Sequence, residues 1–80
     1  MHYVYLLQSE RSSDQRYVGA TSDLKRRLAE HNAGKSPHTS KYRPWKLVTY
    51  TAFLDADKAI AFEKYLKSGS GHAFAKKRLW

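Results

Sequence analysis

Tyr17-Val18-Gly19-Ala20-Thr21-Ser22-Asp23-Leu24-Lys25-Arg26-Arg27-Leu28-Ala29-Glu30-His31 is the stretch in which a strand gives way to a helix. Arg16 to Thr21 reads as the strand. Ser22 is the expected N-cap of a helix that opens at Asp23, whose carboxylate suits the positive end of the helix dipole. Leu24 and Leu28, four residues apart, define the buried stripe, and Arg27 and His31 fall on the same i, i+3, i+4, i+7 face. An arginine beside a core-facing stripe must snorkel outward, pair with an acid, or point into a polar cleft.

Moving outward, a second helix repeats the anomaly with the opposite sign. Asp55 reads as its cap, and the helix is expected to run through about Lys67 and to close at Gly69. Its apolar residues are Ala59, Ile60, Phe62 and Leu66, and the face 59, 62, 63, 66 contains Glu63. A carboxylate buried there without a partner would cost several kcal/mol. Two readings stay open on these residues alone: an internal Arg27–Glu63 ion pair, or a shared functional cleft.

The remaining elements follow from turn signals and composition. Residues 2–8 form an apolar strand, read as buried on both faces. Polar Ser9 to Gln15 turns the chain back into the Arg16–Thr21 strand as an antiparallel hairpin, which brings Tyr5 and Tyr17 close. Gly19 removes a side chain where backbone or ligand can approach. The first helix reaches about Asn32, with Gly34 near its end, and Lys35 to Arg43 is a polar loop. Pro44 precedes a third strand, Trp45 to Leu54, rich in Val, Thr, Tyr and Phe. Ser68-Gly69-Ser70-Gly71 breaks the chain before a short basic helix through Arg78. The expected fold is α+β, a small, three-stranded, mainly antiparallel sheet flanked by helices in the order β-β-α-β-α-α.

Eighty residues bound a single domain, residues 1–80, with a modest core. Zero cysteines exclude disulfides and thiolate metal sites, which is compatible with the cytoplasm. No apolar run is long enough to span a bilayer, and MHYVYLLQSE lacks the features of a signal peptide. Fifteen Lys and Arg against seven Asp and Glu give a formal charge of +8. That excess favours a polyanionic partner. Nucleic acid fits better than a membrane, because no amphipathic anchor is present. His2, His31, His38 and His72 have no zinc-like spacing. Ser68 to Gly71 lacks the P-loop pattern, so helix capping is its expected role. His38-Thr39-Ser40-Lys41-Tyr42-Arg43 reads equally as a single-strand-binding loop or an ordinary exposed one.

Taken in order, Tyr3-Val4-Tyr5, Tyr17-Val18-Gly19, Asp23 to Leu28 with His31, and Glu63 resemble the GIY-YIG nuclease superfamily. Pro44 to Val48 and Glu63 to Lys67 are similar to its small stand-alone bacterial members. The resemblance implies a three-stranded antiparallel sheet with the active site on one face. It also implies phosphodiester hydrolysis with one divalent cation, magnesium or manganese. On the family pattern Glu63 matches the metal ligand and Arg27 the arginine that binds the scissile phosphate. Tyr5 and Tyr17 match the tyrosines, the second being the usual water-activating base. His31 falls on a recurrent position that assists proton transfer or phosphate binding.

This chemistry is consistent with the residue types. A cation and an arginine together stabilise the negative charge that gathers on a phosphodiester in the transition state. Tyrosine's ordinary pKa of about 10 makes it a base that works better toward alkaline pH. The first tripeptide reads Tyr-Val-Tyr rather than Gly-Ile-Tyr. The late asparagine that many family nucleases carry near the metal has no counterpart, since Asn32 is the only asparagine. The expected function is thus a metal-dependent endonuclease, acting on DNA rather than RNA in repair or processing, with a larger protein partner supplying specificity. The alternatives are a basic nucleic-acid-binding module with a vestigial site, and an accessory protein that docks on a partner.

Overall fold

A computed structural model describes every residue from Met1 to Trp80. The elements are β1 (His2–Ser9), β2 (Arg16–Thr21), α1 (Leu24–Asn32), a 3₁₀ turn (Ser40–Tyr42), β3 (Trp45–Phe53), α2 (Ala56–Leu66) and α3 (Gly69–Arg78). The strands form one antiparallel sheet in the order β2-β1-β3. This is the α+β fold expected from the sequence, in the order β-β-α-β-α-α.

Central β1 is buried on both faces, as its composition requires, and its alternation divides the core in two. Val4 and Leu6 face Ala59 and Leu66 of α2 and Ala75 of α3. Tyr5 and Leu7 face the other way, where Leu24 and Leu28 of α1 pack with Trp45. The helices therefore cover opposite faces of the sheet, α1 on one and α2 with α3 on the other.

A register shift against β1 lets β3 serve both cores. Leu6 pairs with Thr49 but Leu7 pairs with Leu47, leaving Val48 as the extra residue. Strict alternation would put Trp45, Leu47 and Phe53 on one face. The bulge instead sends Trp45 and Leu47 to the α1 side and Phe53 to the α2 side.

Two helix-end expectations are corrected. Asp23, not Ser22, caps α1: its Oδ1 accepts the Arg26 N–H at 3.1 Å, while Thr21 Oγ1 accepts the N–H of Asp23 at 3.1 Å. Asp55 caps α2 as expected, accepting the Asp57 N–H at 2.8 Å. Gly69, however, does not close that helix; it opens α3. Ser68 does both jobs at the junction, its hydroxyl donating to the Tyr65 carbonyl at 2.6 Å and accepting the Gly71 N–H at 3.2 Å. The Ser-Gly repeat is thus a tight helix–helix corner, and capping is its role.

Gly71 is required there by space. A Cβ at Gly71 would run into the Tyr65 carbonyl and the Leu66 Cα, whereas one at Gly69 would meet nothing within 4 Å. Gly71→Ala is expected to destabilise the fold by about 1–3 kcal/mol through overpacking against rigid backbone. Gly69→Ala should be neutral or stabilising by up to about 0.5 kcal/mol, since alanine is the better helix former. Urea denaturation of both variants checks the pair; similar stabilities would contradict the close crossing of α2 and α3.

Candidate active site

The hairpin contributes the aromatic wall. Tyr5 pairs with Gly19 and Leu7 with Tyr17, so Tyr5 and Tyr17 share one face on a diagonal. Their ring centroids lie 6.2 Å apart. The Tyr5 ring lies across the place a side chain would take at position 19, where a Cβ would overlap its hydroxyl and crowd Tyr17. Gly19 is therefore glycine for close packing of the phenol. Tyr5 is only 1% exposed, while Tyr17 is half-buried.

Helix α1 brings in Arg27 and His31. His31 is fully buried, with Nε2 at 2.8 Å from the Tyr5 hydroxyl and Nδ1 at 2.7 Å from Thr39 Oγ1. Its ring also packs edge-on against Tyr17, centroids 4.9 Å apart. Burial, and then the Arg27 charge, lower the His31 pKa from its ordinary value, against a weaker opposing pull from Glu30. A neutral imidazole has one donor and one acceptor, so its two hydroxyl contacts run in opposite senses. In one arrangement Tyr5 donates to Nε2 and Nδ1–H donates to Thr39; in the other both bonds reverse.

Burial pushes the Tyr5 phenol up to about 12; Tyr17 and Glu63 reinforce the rise, and the Arg27 guanidinium opposes it. Tyr5 is consequently a hydroxyl at neutral pH. Arg27 is one-third exposed and bonds Glu30 Oε1 at 3.0 Å, the main reason its pKa lies above the usual guanidinium value, with Tyr5 adding to it. The internal Arg27–Glu63 ion pair does not form.

Glu63 arrives from the other side of the sheet. Ala56, Ala59 and Ile60 line a cleft with Ala20 and Thr21, while Leu66 lines one with Arg16 and Val18. Helix α2 therefore runs antiparallel along edge strand β2, with Glu63 level with the middle of that strand. The Glu63 side chain is 24% exposed, and its carboxylate bonds Lys67 Nζ at 3.0 Å, one turn along its own helix. Its charge still reaches the Tyr5 phenol, disfavouring phenolate. No group of three or more His, Cys, Asp or Glu side chains could cage an ion. One accessible carboxylate does fit a hard cation of the magnesium type, which keeps most of its waters and takes phosphate oxygens from a substrate.

Thr39 escaped the sequence reading. It is 1% exposed; its hydroxyl meets His31 and its carbonyl accepts the Trp45 indole N–H at 2.8 Å. Nothing in a polar loop signalled that one hydroxyl would turn inward. The same loop also sends Tyr42 into the core, while His38, Lys41 and Arg43 stay exposed. Asn32 is a staple: its side chain accepts the Trp45 N–H at 2.6 Å and donates to the Trp45 carbonyl at 3.1 Å, tying α1 to the start of β3.

The lowered His31 pKa sets a pH dependence. As pH falls, the unfolded chain takes up a proton before the folded one does. The stability contributed by neutral His31 is thus fully present above about pH 6.5 and is lost as pH falls through the folded value. The urea midpoint should drop between about pH 7 and about pH 5, and part of that drop should vanish in His31→Asn. An identical pH slope in the variant would contradict the assignment.

Comparison with known proteins identifies the family of the chain. The model of the GIY-YIG catalytic domain matches residues 1–77. A UPF0213 protein from Streptococcus pyogenes serotype M5 (strain Manfredo) is 41% identical over 66 residues, covering 81% of this chain and 70% of that protein. One from the haloarchaeon Haloquadratum walsbyi is 38% identical over 68 residues, covering 84% and 74%. The solution NMR structure of a UPF0213 protein from Bacillus halodurans superposes with a TM-score of 0.57 at 30% identity, covering 95% of this chain and 82% of that one. With a family match across nearly its whole length, the chain belongs to the GIY-YIG family, the nuclease superfamily that its tyrosines, arginine and glutamate resemble.

Proposed function

We propose that residues 1–80 form one nuclease domain that hydrolyses phosphodiester bonds in DNA with the help of a divalent cation, magnesium or manganese. The observation that carries this reading is that Tyr5, Tyr17, Arg27 and His31 meet on one face of the sheet, with the charge of Glu63 reaching the Tyr5 phenol from α2. The hairpin supplies Tyr5 and Tyr17, α1 supplies Arg27 and His31, and α2 supplies Glu63.

Arg27 would bind the scissile phosphate, since a guanidinium stays charged and forks onto two oxygens. Tyr17, the more accessible phenol, would take the proton from the attacking water. Tyr5, kept as a hydroxyl by burial, would orient His31 or, with the hydrogen-bond line reversed, turn its O–H toward a phosphate oxygen. His31 would accept or return a proton at Nε2 while Thr39 holds Nδ1. Glu63 would hold the cation after Lys67 swings away. That cation, when bound, supplies Lewis-acid stabilisation of the charge that gathers on the phosphate. A role in repair or processing, with a larger protein partner supplying specificity, is part of the same proposal. Compartment enters only through the helices, none of which is long and apolar enough to cross a membrane.

A second reading rests on Asn32. It is the only asparagine of the chain and is tied to Trp45, so none stands beside Glu63, as suits a nucleic-acid-binding module with little turnover.

Incubation of the purified protein with branched, single-stranded and duplex DNA in magnesium or manganese tests both. Cleavage is expected, abolished by a chelator and by Glu63→Gln. Tyr17→Phe should lose about 10²–10⁴-fold in rate and Arg27→Ala about 10²–10³-fold. Cleavage that survives Glu63→Gln would place the chemistry elsewhere. Salt-sensitive binding without any cleavage would select the second reading.

A further inference from the structure

A second cleft lies on the opposite face of the sheet, between the start of β2 and α3. Its volume is about 260 Å³, and Arg16, Val18, Leu66, His72, Lys76 and Trp80 line it. His72 and Lys76 lie one turn apart on α3, beside the stripe of Gly71 and Ala75 that is buried against α2. Trp80 follows two residues past the helix end, where its backbone N–H donates to the Ala75 carbonyl at 2.9 Å.

The lining is cationic and aromatic, with no acid among it. The Arg16 guanidinium stacks 4.8 Å from the Trp80 ring centroid. Stacking covers one face of a guanidinium and leaves the N–H groups at its edge free to donate to an anion. The ion pairs of the chain lie elsewhere: Arg26 with Asp23 and Glu30, Arg27 with Glu30, and Lys67 with Glu63. Arg16 and Lys76 therefore keep their charge for an external partner.

The cleft also lies across the β2 edge from the candidate active site. Arg16 precedes Tyr17 and points to the opposite face, as strand alternation requires. Leu66, in the cleft wall, lies one helical turn from Glu63. A chain of phosphates that passes Arg27, Tyr17 and Glu63 and follows the edge next meets Arg16 and Lys76. We infer that this cleft is a second binding site for the phosphodiester backbone of the same nucleic-acid strand, outside the position of cleavage, with Trp80 holding Arg16 in place from below. The path of the strand rests on the nuclease reading; the cleft itself does not.

The test measures binding of a single-stranded DNA of roughly 20 nucleotides in chelator, without cleavage. Arg16→Gln combined with Lys76→Gln should weaken affinity about tenfold at moderate salt and lower the salt slope by about 1.4. Lys35→Gln with Lys46→Gln removes the same charge elsewhere and should lower the slope by less than about 1. In the unaltered protein the Trp80 indole N–H resonance should shift on adding the strand, while that of Trp45, bonded to the Thr39 carbonyl, should not. Equal effects from the two double variants, or an unmoved Trp80 resonance, would overturn the inference. Weakened binding through Arg16 and Lys76 in a protein that never cleaves would keep the cleft and sink the nuclease reading. Metal-dependent cleavage with affinity unchanged in that variant would do the reverse.

Discussion

A phenol buried in the central strand is the constraint on which the rest depends. Tyr5 puts a bulky ring and one hydroxyl where water does not reach, so the ring needs room and the hydroxyl needs a partner. Gly19, opposite on β2, supplies the room. His31 supplies the partner, and it can do so only if α1 lies across this face with its last turn over β1. The remaining imidazole nitrogen then needs its own partner, which is Thr39, and the loop that carries Thr39 must fold inward to reach it. No buried side-chain nitrogen or oxygen in the protein is left without a partner. One tyrosine thus dictates a glycine, the seat of a helix and the course of a loop.

The same network sets the electrostatic character of the cleft. Burial keeps Tyr5 protonated and His31 neutral, so the interior of the site holds no net charge of its own. Charge sits at the rim, where Arg27 and Glu63 each hold a local acid or base rather than each other. Ion pairs of this partly exposed kind are worth about 0.2–1 kcal/mol. Exchanging Glu30 or Lys67 for a phosphate or a cation is therefore a small step energetically. A direct Arg27–Glu63 pair would have tied α1 to α2; local pairing keeps the two charges apart.

The α2–α3 corner has a parallel role on the far side of the sheet. Ser68 caps one helix end and the start of the next, and Gly71 lets α3 lie tightly on the last turn of α2. That crossing buries Ala75 and turns His72, Lys76 and Trp80 toward β2. Arg16 and Lys76 thereby stand on one side of the β2 edge and Arg27 on the other.

Much of this was legible in the chain itself. The apolar composition of β1, the Asp55 cap and the four-residue spacing in α1 are local properties, carried by near neighbours along the backbone, while the order of tyrosines, arginine and glutamate spoke through its resemblance to a known family. They determined the elements, their order and the set of candidate residues, and they located the boundaries to within a residue or two except the start of α3, which lies at Gly69 rather than after Gly71. The choice between Ser22 and Asp23 as cap, and between Gly69 as a stop and Gly69 as a start, turned on which hydrogen bonds a few side chains finally made. Tertiary structure alone decided three further matters: the bulge at Val48 that splits β3 between two cores, the inward turn of Thr39, and the partners of Arg27 and Glu63. Each depends on groups far apart in sequence meeting in space, where register, burial and competing partners select one arrangement among several that the local pattern allows equally.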